Sequence, residues 1–252
     1  MTVLVTRPGE DGSNLCQTLS TFGINSLHHP LLTFKQGKDA ASLQYHLKNC
    51  QLIIAVSQHA VYWAQHILKQ QNTSFPVTPI YLAIGSKTAQ LLQQYCGKTV
   101  ISPKISDSEH LLDLPALKLV KNQRILILRG NGGRELIYQT LQQRGANVDY
   151  SEVYQRAYIP IDESITFPHW KQLNIKQLVI TSGDQLNYLI TQSSNDFKHW
   201  LTQRELYIPS QRIEQEAKEF GFSRIINTGS AANSILLAHL CGKLNTGRQH
   251  DR

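Results

Sequence analysis

The chain has 252 residues, 41% hydrophobic and 17% charged, a balance that excludes a disordered protein and suits one large domain or two ordinary ones. Its net charge of +7 admits nucleic acid, an acidic membrane surface or a small anion as partner, but the lysines and arginines are scattered with no dense run. No segment approaches the roughly 18 consecutive apolar residues of a membrane span. The opening Met-Thr-Val-Leu-Val-Thr-Arg-Pro lacks the pattern of a signal peptide. The four cysteines, Cys16, Cys50, Cys96 and Cys241, form no C-x-x-C motif, so reduced thiols in the cytoplasm are expected.

The first strand is read at Val3, Leu4 and Val5, ending in Thr6 and Arg7. A helix carrying Leu15, Leu19 and Phe22 follows and closes at Gly23. A polar stretch between Phe34 and Asp39 reads as a crossing between domains. The strand from Leu52 to Val56 ends in Ser57 and feeds a helix over 60–68. The strand from Tyr81 to Ile84 ends in Gly85 and Ser86 and feeds a helix that closes near Gly97. A short capped helix is expected over 108–112.

The pattern then repeats. Ile125 to Leu128, ending in Arg129, matches Val3 to Thr6, and the helix bearing Leu136, Ile137 and Leu141 closes at Gly145. The segment between Tyr158 and Pro168, with two prolines, reads as an extended second crossing. The strand from Leu178 ends in Ser182 and feeds a helix over 185–190. The strand from Leu206 ends in Pro209 and Ser210 and feeds a helix closing near Gly221, and a last helix is expected over 233–237. The offset is 122 for the first pair and about 125 for the others, which marks an internal duplication.

Strands alternating with helices demand parallel pairing and right-handed crossovers. The expected fold is α/β: two similar doubly wound parallel-sheet domains of flavodoxin or Rossmann type. The expected boundaries are 1–35 plus 159–240 for one domain, 36–158 for the other, and a polar, frayed tail at 241–252.

Open parallel sheets bind ligands outside the carboxyl ends of their strands. Arg7, Ser57, Gly85, Arg129, Gly130, Ser182 and Ser210 sit there, next to helix starts whose unpaired N–H groups suit carboxylates or phosphates. The serines also read simply as N-caps, and Gly85 as a tight-turn residue. Gly130-Asn-Gly132-Gly133-Arg134-Glu135 fails the dinucleotide fingerprint because Glu135 stands at the sixth position. No motif of histidines or cysteines points to a metal. Tyr154 reads as a packed aromatic, or as a phenol able to donate to a leaving hydroxyl; spacing alone favours packing.

The order and spacing of these blocks resemble the uroporphyrinogen-III synthase (HemD) family across nearly the whole chain. The most specific block runs from Ile-Leu-Arg129-Gly130 through Gly133-Arg134-Glu135 to Val153-Tyr154-Gln-Arg156. Val-Leu-Val-Thr-Arg-Pro, Ile84-Gly85-Ser-Lys-Thr88-Ala89 and Thr181-Ser182 accompany it. The resemblance implies two domains joined by a two-stranded linker, an active site in the cleft between them, and no metal or cofactor. It implies a lyase that cyclises linear hydroxymethylbilane to uroporphyrinogen III, with loss of water and inversion of ring D through a spiro intermediate. Tyr154 would assist departure of the hydroxyl. Arg7, Ser57, Gly85, Thr88, Arg129, Gly130, Arg134, Ser182 and Ser210 would contact substrate. Family members often carry threonine where this chain has Val56, and glycine and threonine in the segment matched by Ser210 to Ile213, so polar contacts differ there.

A cytoplasmic monomer is expected, taking substrate by hand-over from hydroxymethylbilane synthase, with no nucleic acid or membrane partner. A non-catalytic two-lobed module for an anionic small molecule is the alternative. A nucleic-acid binder is disfavoured by the lack of a basic helix or aromatic stacking run.

Overall fold

The computed structural model describes residues 2–247. The chain forms two compact units, residues 1–33 with 157–252, and residues 34–156.

The first unit opens with β1 (Thr2–Val5), α1 (Gly9–Thr21) and β2 (Asn25–His28). The chain leaves it within β3 (Leu32–Gln36). The second unit holds α2 (Leu43–Lys48), β4 (Leu52–Ala55), α3 (Gln58–Gln70), β5 (Ile80–Ala83), α4 (Ser86–Cys96), β6 (Val100–Ile101), α5 (Ser108–Leu112), β7 (Arg124–Gly130), α6 (Leu136–Gln143) and most of β8 (Asn147–Tyr158). The rest of the first unit is α7 (Glu163–Gln172), β9 (Ile175–Val179), α8 (Gly183–Thr191), α9 (Asn195–Thr202), β10 (Glu205–Ile208), α10 (Gln211–Glu219), β11 (Ile225–Asn227) and α11 (Asn233–Gly247).

The first unit carries a five-stranded sheet in the order β11-β10-β9-β1-β2, and the second a six-stranded sheet in the order β3-β8-β7-β4-β5-β6. Leaving β3 aside, the two orders match when strands are equated by repeat, β1 with β7, β2 with β8, β9 with β4, β10 with β5 and β11 with β6. Every pair from β2 to β11 and from β8 to β6 is parallel, as helical crossovers require. In each sheet the winding reverses at one place, between β1 and β9 or between β7 and β4.

The central strands are buried on both faces, so they read as unbroken apolar runs. In β4, Ile53 and Ala55 enter one core and Leu52 and Ile54 the other, because successive side chains leave a strand on opposite faces. In β1, Leu4 faces one core while Val3 and Val5 face the other. Each such valine, leucine or isoleucine contributes about 1.5–3 kcal/mol by leaving water. α3, α8 and α10 begin on serines: Ser57 Oγ accepts from Ala60 N at 3.0 Å, Ser182 Oγ from Gln185 N at 3.3 Å and Ser210 Oγ from Ile213 N at 3.5 Å. α4 ends on Gly97, whose φ of +64° is the left-handed turn that glycine makes without strain.

Several elements differ from the sequence-based expectation. The segment read as extended up to Pro168 turns helical at Glu163. Asp162 caps α7 by accepting from Ser164 N at 3.0 Å, and Thr166 N donates to Asp162 O at 2.8 Å. Pro168 removes one backbone bond from that helix, a cost of about 3 kcal/mol in a free helix. Burial of Trp170 and the packing of Phe167 against Phe197, ring centres 4.5 Å apart, offset it. The short helices α2 and α9 had no counterpart in the expected order. α11 runs on through Gly247, so the expected tail at 241–252 is helical over its first residues, while 248–252 lie outside the described residues.

Candidate functional site

The winding reversal of the second unit places the carboxyl ends of β4 and β7 side by side. A pocket of about 230 Å³ opens there, entirely within residues 34–156. Its wall includes Ser57 at the start of α3, Arg129 and Gly130 at the end of β7, Arg134 in the following loop, and Tyr150, Tyr154 and Arg156 on β8.

Tyr154 is 3% exposed. Its ring packs edge-on against Phe34 at 5.7 Å and lies 5.9 Å from the ring of His59. Gly130 is the seat of that ring, since a β-carbon there would stand 2.5 Å from Tyr154 Cζ. The pairing of β7 with β8 shifts register at this point: Arg129 lies opposite Glu152 and Gly130 opposite Tyr154. Such a bulge re-aims side chains, and here Val153 and Tyr154 are both buried in the same core. Asn131 locks the bulge. Its backbone N–H donates to Tyr154 O at 3.2 Å, and its side chain accepts from Arg156 N at 2.7 Å and donates to Arg156 O at 3.3 Å.

Arg129 is 5% exposed. Its Nε donates to Gly130 O at 3.2 Å, its Nη1 donates to Glu135 Oε1 at 2.8 Å, and its guanidinium lies 4.2 Å over the Tyr150 ring. Glu135 Oε2 accepts from the Tyr150 hydroxyl at 2.5 Å. The Tyr150 bond, then the Arg129 bond, hold the Glu135 carboxyl below the usual carboxylate range. Burial, then the bond to Glu135, push the Tyr150 phenol up, so it remains a donor. Arg134 makes an exposed two-pronged bond to Glu109 at 2.5 and 3.2 Å, which lowers the Glu109 carboxyl. The pocket thus combines buried positive charge, the start of a helix and two phenols. That set can hold an anion and give a proton.

Of the residues singled out from sequence, Ser57, Arg129, Gly130, Arg134 and Tyr154 meet at this pocket. Gly85 caps α4 and Thr88 is buried in its first turn, neither lining the pocket, although Ile84 does. The backbone at Gly85 lies against Ser106, which leaves no room for a β-carbon. Arg7, Ser182 and Ser210 belong to the other unit. Arg7 bonds there to Ala231 O, to Asn233 Oδ1 at 3.0 Å and to Asp11 Oδ2 at 2.8 Å. Tyr150, Arg156, Ser108 and Glu135 were not read as site residues. Tyr150 and Arg156 flank Tyr154 in the block that carries the resemblance, which is the signal that was available. Among the described residues no group of three or more histidine, cysteine, aspartate or glutamate side chains is placed to hold a metal ion.

Residues 13–235 match the family described as Uroporphyrinogen-III synthase HemD. The chain belongs to that family. It is 39% identical to the uroporphyrinogen-III synthase of Escherichia coli over 245 residues, covering 95% of this chain and 100% of that protein. It is 36% identical to the uroporphyrinogen-III synthase of Salmonella typhimurium over the same length and coverage. Its fold matches a crystal structure of mutant uroporphyrinogen III synthase from Thermus thermophilus with a TM-score of 0.65 at 15% identity, covering 97% of this chain and 99% of that one. It also matches uroporphyrinogen-III synthetase from Helicobacter pylori with a TM-score of 0.59 at 17% identity, covering 95% and 98%. Uroporphyrinogen-III synthases are lyases, and the duplicated α/β architecture is the one these solved structures share. No helix among the described residues is long and apolar enough to cross a membrane.

Proposed function

We propose that the pocket at the end of β4 and β7 is part of the substrate site with which this chain, as a uroporphyrinogen-III synthase, closes hydroxymethylbilane. The reaction converts the linear tetrapyrrole to uroporphyrinogen III. Loss of water from the hydroxymethyl group leaves an azafulvene cation. Attack by the substituted carbon of ring D gives a spiro intermediate, which fragments and recloses with that ring inverted.

The chemical demand is mostly positional. The azafulvene closes unaided to the symmetric isomer, so an enzyme must hold the chain in the one folded shape that exposes the substituted carbon. Fixing reactants in that way contributes up to roughly 7–11 kcal/mol. Hydroxymethylbilane carries eight carboxylates, and arginines with helix-start amides are the groups that grip them. Arg129 and Arg134 are assigned to carboxylates, with Ser57 beside them at the start of α3. Tyr154 is assigned the proton for the departing hydroxyl. The observation that carries this reading is the convergence of Tyr154 and Arg129, both nearly buried, on one pocket.

The enzyme is taken to act as a cytoplasmic monomer that receives hydroxymethylbilane from hydroxymethylbilane synthase, because the free substrate closes on its own during transit. The test is to supply the purified protein with enzymatically generated hydroxymethylbilane and separate the isomers. Type III product is expected in excess over the spontaneous type I. Type I alone would overturn the reading.

A further inference from the structure

We propose that Glu135 and Tyr150 are positioning residues that hold the Arg129 guanidinium ready for a substrate carboxylate. This rests on the reading of Arg129 as a carboxylate ligand.

The three side chains close a ring of contacts. Glu135 takes Nη1 of Arg129 at one oxygen (2.8 Å) and the Tyr150 hydroxyl at the other (2.5 Å), while the face of Tyr150 supports the guanidinium at 4.2 Å. Arg129 is therefore fixed in plane by a carboxylate and out of plane by an aromatic ring, which matches the two ways a guanidinium is recognised. Nε is held as well, by Gly130 O at 3.2 Å. Nη2 makes no hydrogen bond among the described residues and points along the loop at Gly133, where a β-carbon would stand 3.4 Å away. The φ of Gly133 is +118°, a conformation side-chain-bearing residues rarely take, so no side chain at 133 stands against Nη2.

Arg129 and Tyr150 line the pocket, and Glu135 does not. Glu135 thus holds Arg129 without itself lining the pocket. Its carboxylate also offsets a buried positive charge that would otherwise be costly to keep out of water. An arginine so restrained has already given up its rotamer freedom, and the carboxylate that meets it does not have to order it. The burial of Tyr150 and its bond to Glu135 keep its phenol protonated and donating.

The experiment measures kcat and KM for type III formation in Glu135→Gln, Tyr150→Phe, Arg129→Lys and the double variant Arg129→Lys with Glu135→Gln, with thermal melts as the folding control. Glu135→Gln is expected to raise KM about fivefold and Tyr150→Phe about twofold, with kcat unchanged, since charge-assisted bonds are lost and the chemical step is untouched. Arg129→Lys is expected to raise KM by about tenfold, and adding Glu135→Gln to it should raise KM no further. An equal KM increase from Glu135→Gln in both backgrounds would overturn the positioning role, as would a fall in kcat at constant KM. If Arg129→Lys leaves KM unchanged, the carboxylate-ligand reading itself is wrong. If Arg129→Lys raises KM while Glu135→Gln and Tyr150→Phe do not, only the positioning role falls.

Discussion

Arg7 and Arg129 stand at matching places in the two repeats, each at the end of a first strand with an offset of 122, yet they have different surroundings. α1 begins almost at once, at Gly9, and brings Asp11 within 2.8 Å of Arg7. Backbone and side-chain oxygens of Ala231 and Asn233 complete the set, so Arg7 is used to tie strand end to helix start within its own unit. α6 waits until Leu136, and the intervening loop contains Gly132 and Gly133 at positive φ. That longer loop gives Arg129 one carboxylate partner and an aromatic rest at the wall of the pocket. Two copies of one fold thus differ in chemistry because one loop is tight and the other is open.

The comparison breaks most sharply at Tyr154. Tyr154→Phe is expected to lower kcat by about a hundredfold, the scale of a lost proton donor, while the melting temperature holds because the ring still packs; unchanged turnover would remove its role. Gly130→Ala comes next. A β-carbon 2.5 Å from the Tyr154 ring forces ring or strand to move, and a loss of about 1–3 kcal/mol of stability in a denaturant melt should accompany reduced activity. Arg7→Ala should cost about 1–3 kcal/mol through lost hydrogen bonds with KM unchanged, the opposite of the Arg129 variants; a raised KM would mean the two arginines share a function after all. The serine caps give the smallest effect. Ser57→Ala, Ser182→Ala and Ser210→Ala should each cost about 1 kcal/mol, with a KM increase in Ser57→Ala alone. Kinetics run on the three variants side by side will tell.

Much of the fold was legible because its signals are local. Apolar runs mark the doubly buried strands Leu52–Ala55 and Arg124–Gly130, and Ser57, Ser182 and Ser210 mark helix starts, as their bonds bear out. α7 was missed because Pro168 reads as a breaker, and the burial of Trp170 that overrides it is a tertiary effect. The site was legible only in part. Strand ends point to Ser57, Arg129 and Gly130, but the face taken by Tyr154 does not follow from Tyr150 by counting in twos, because the bulge opposite Gly130 breaks the alternation. The partnership of Arg129 with Glu135 depends on how the glycine loop turns, which no periodicity reports. Nor does any pattern tell that Arg7 is already satisfied by oxygens more than 220 residues away along the chain.

The sheet order has a bearing on how the chain is made. Residues 34–156 are continuous and can close their sheet soon after they leave the ribosome. β1 cannot, since its neighbour β9 lies some 170 residues downstream, where Thr6 Oγ1 meets Val179 O. At translation speeds of about 5–20 residues per second, that leaves a bare apolar central strand waiting roughly ten to thirty seconds for its other half. The first unit is therefore the half whose central strand must stay soluble longest before its core can close.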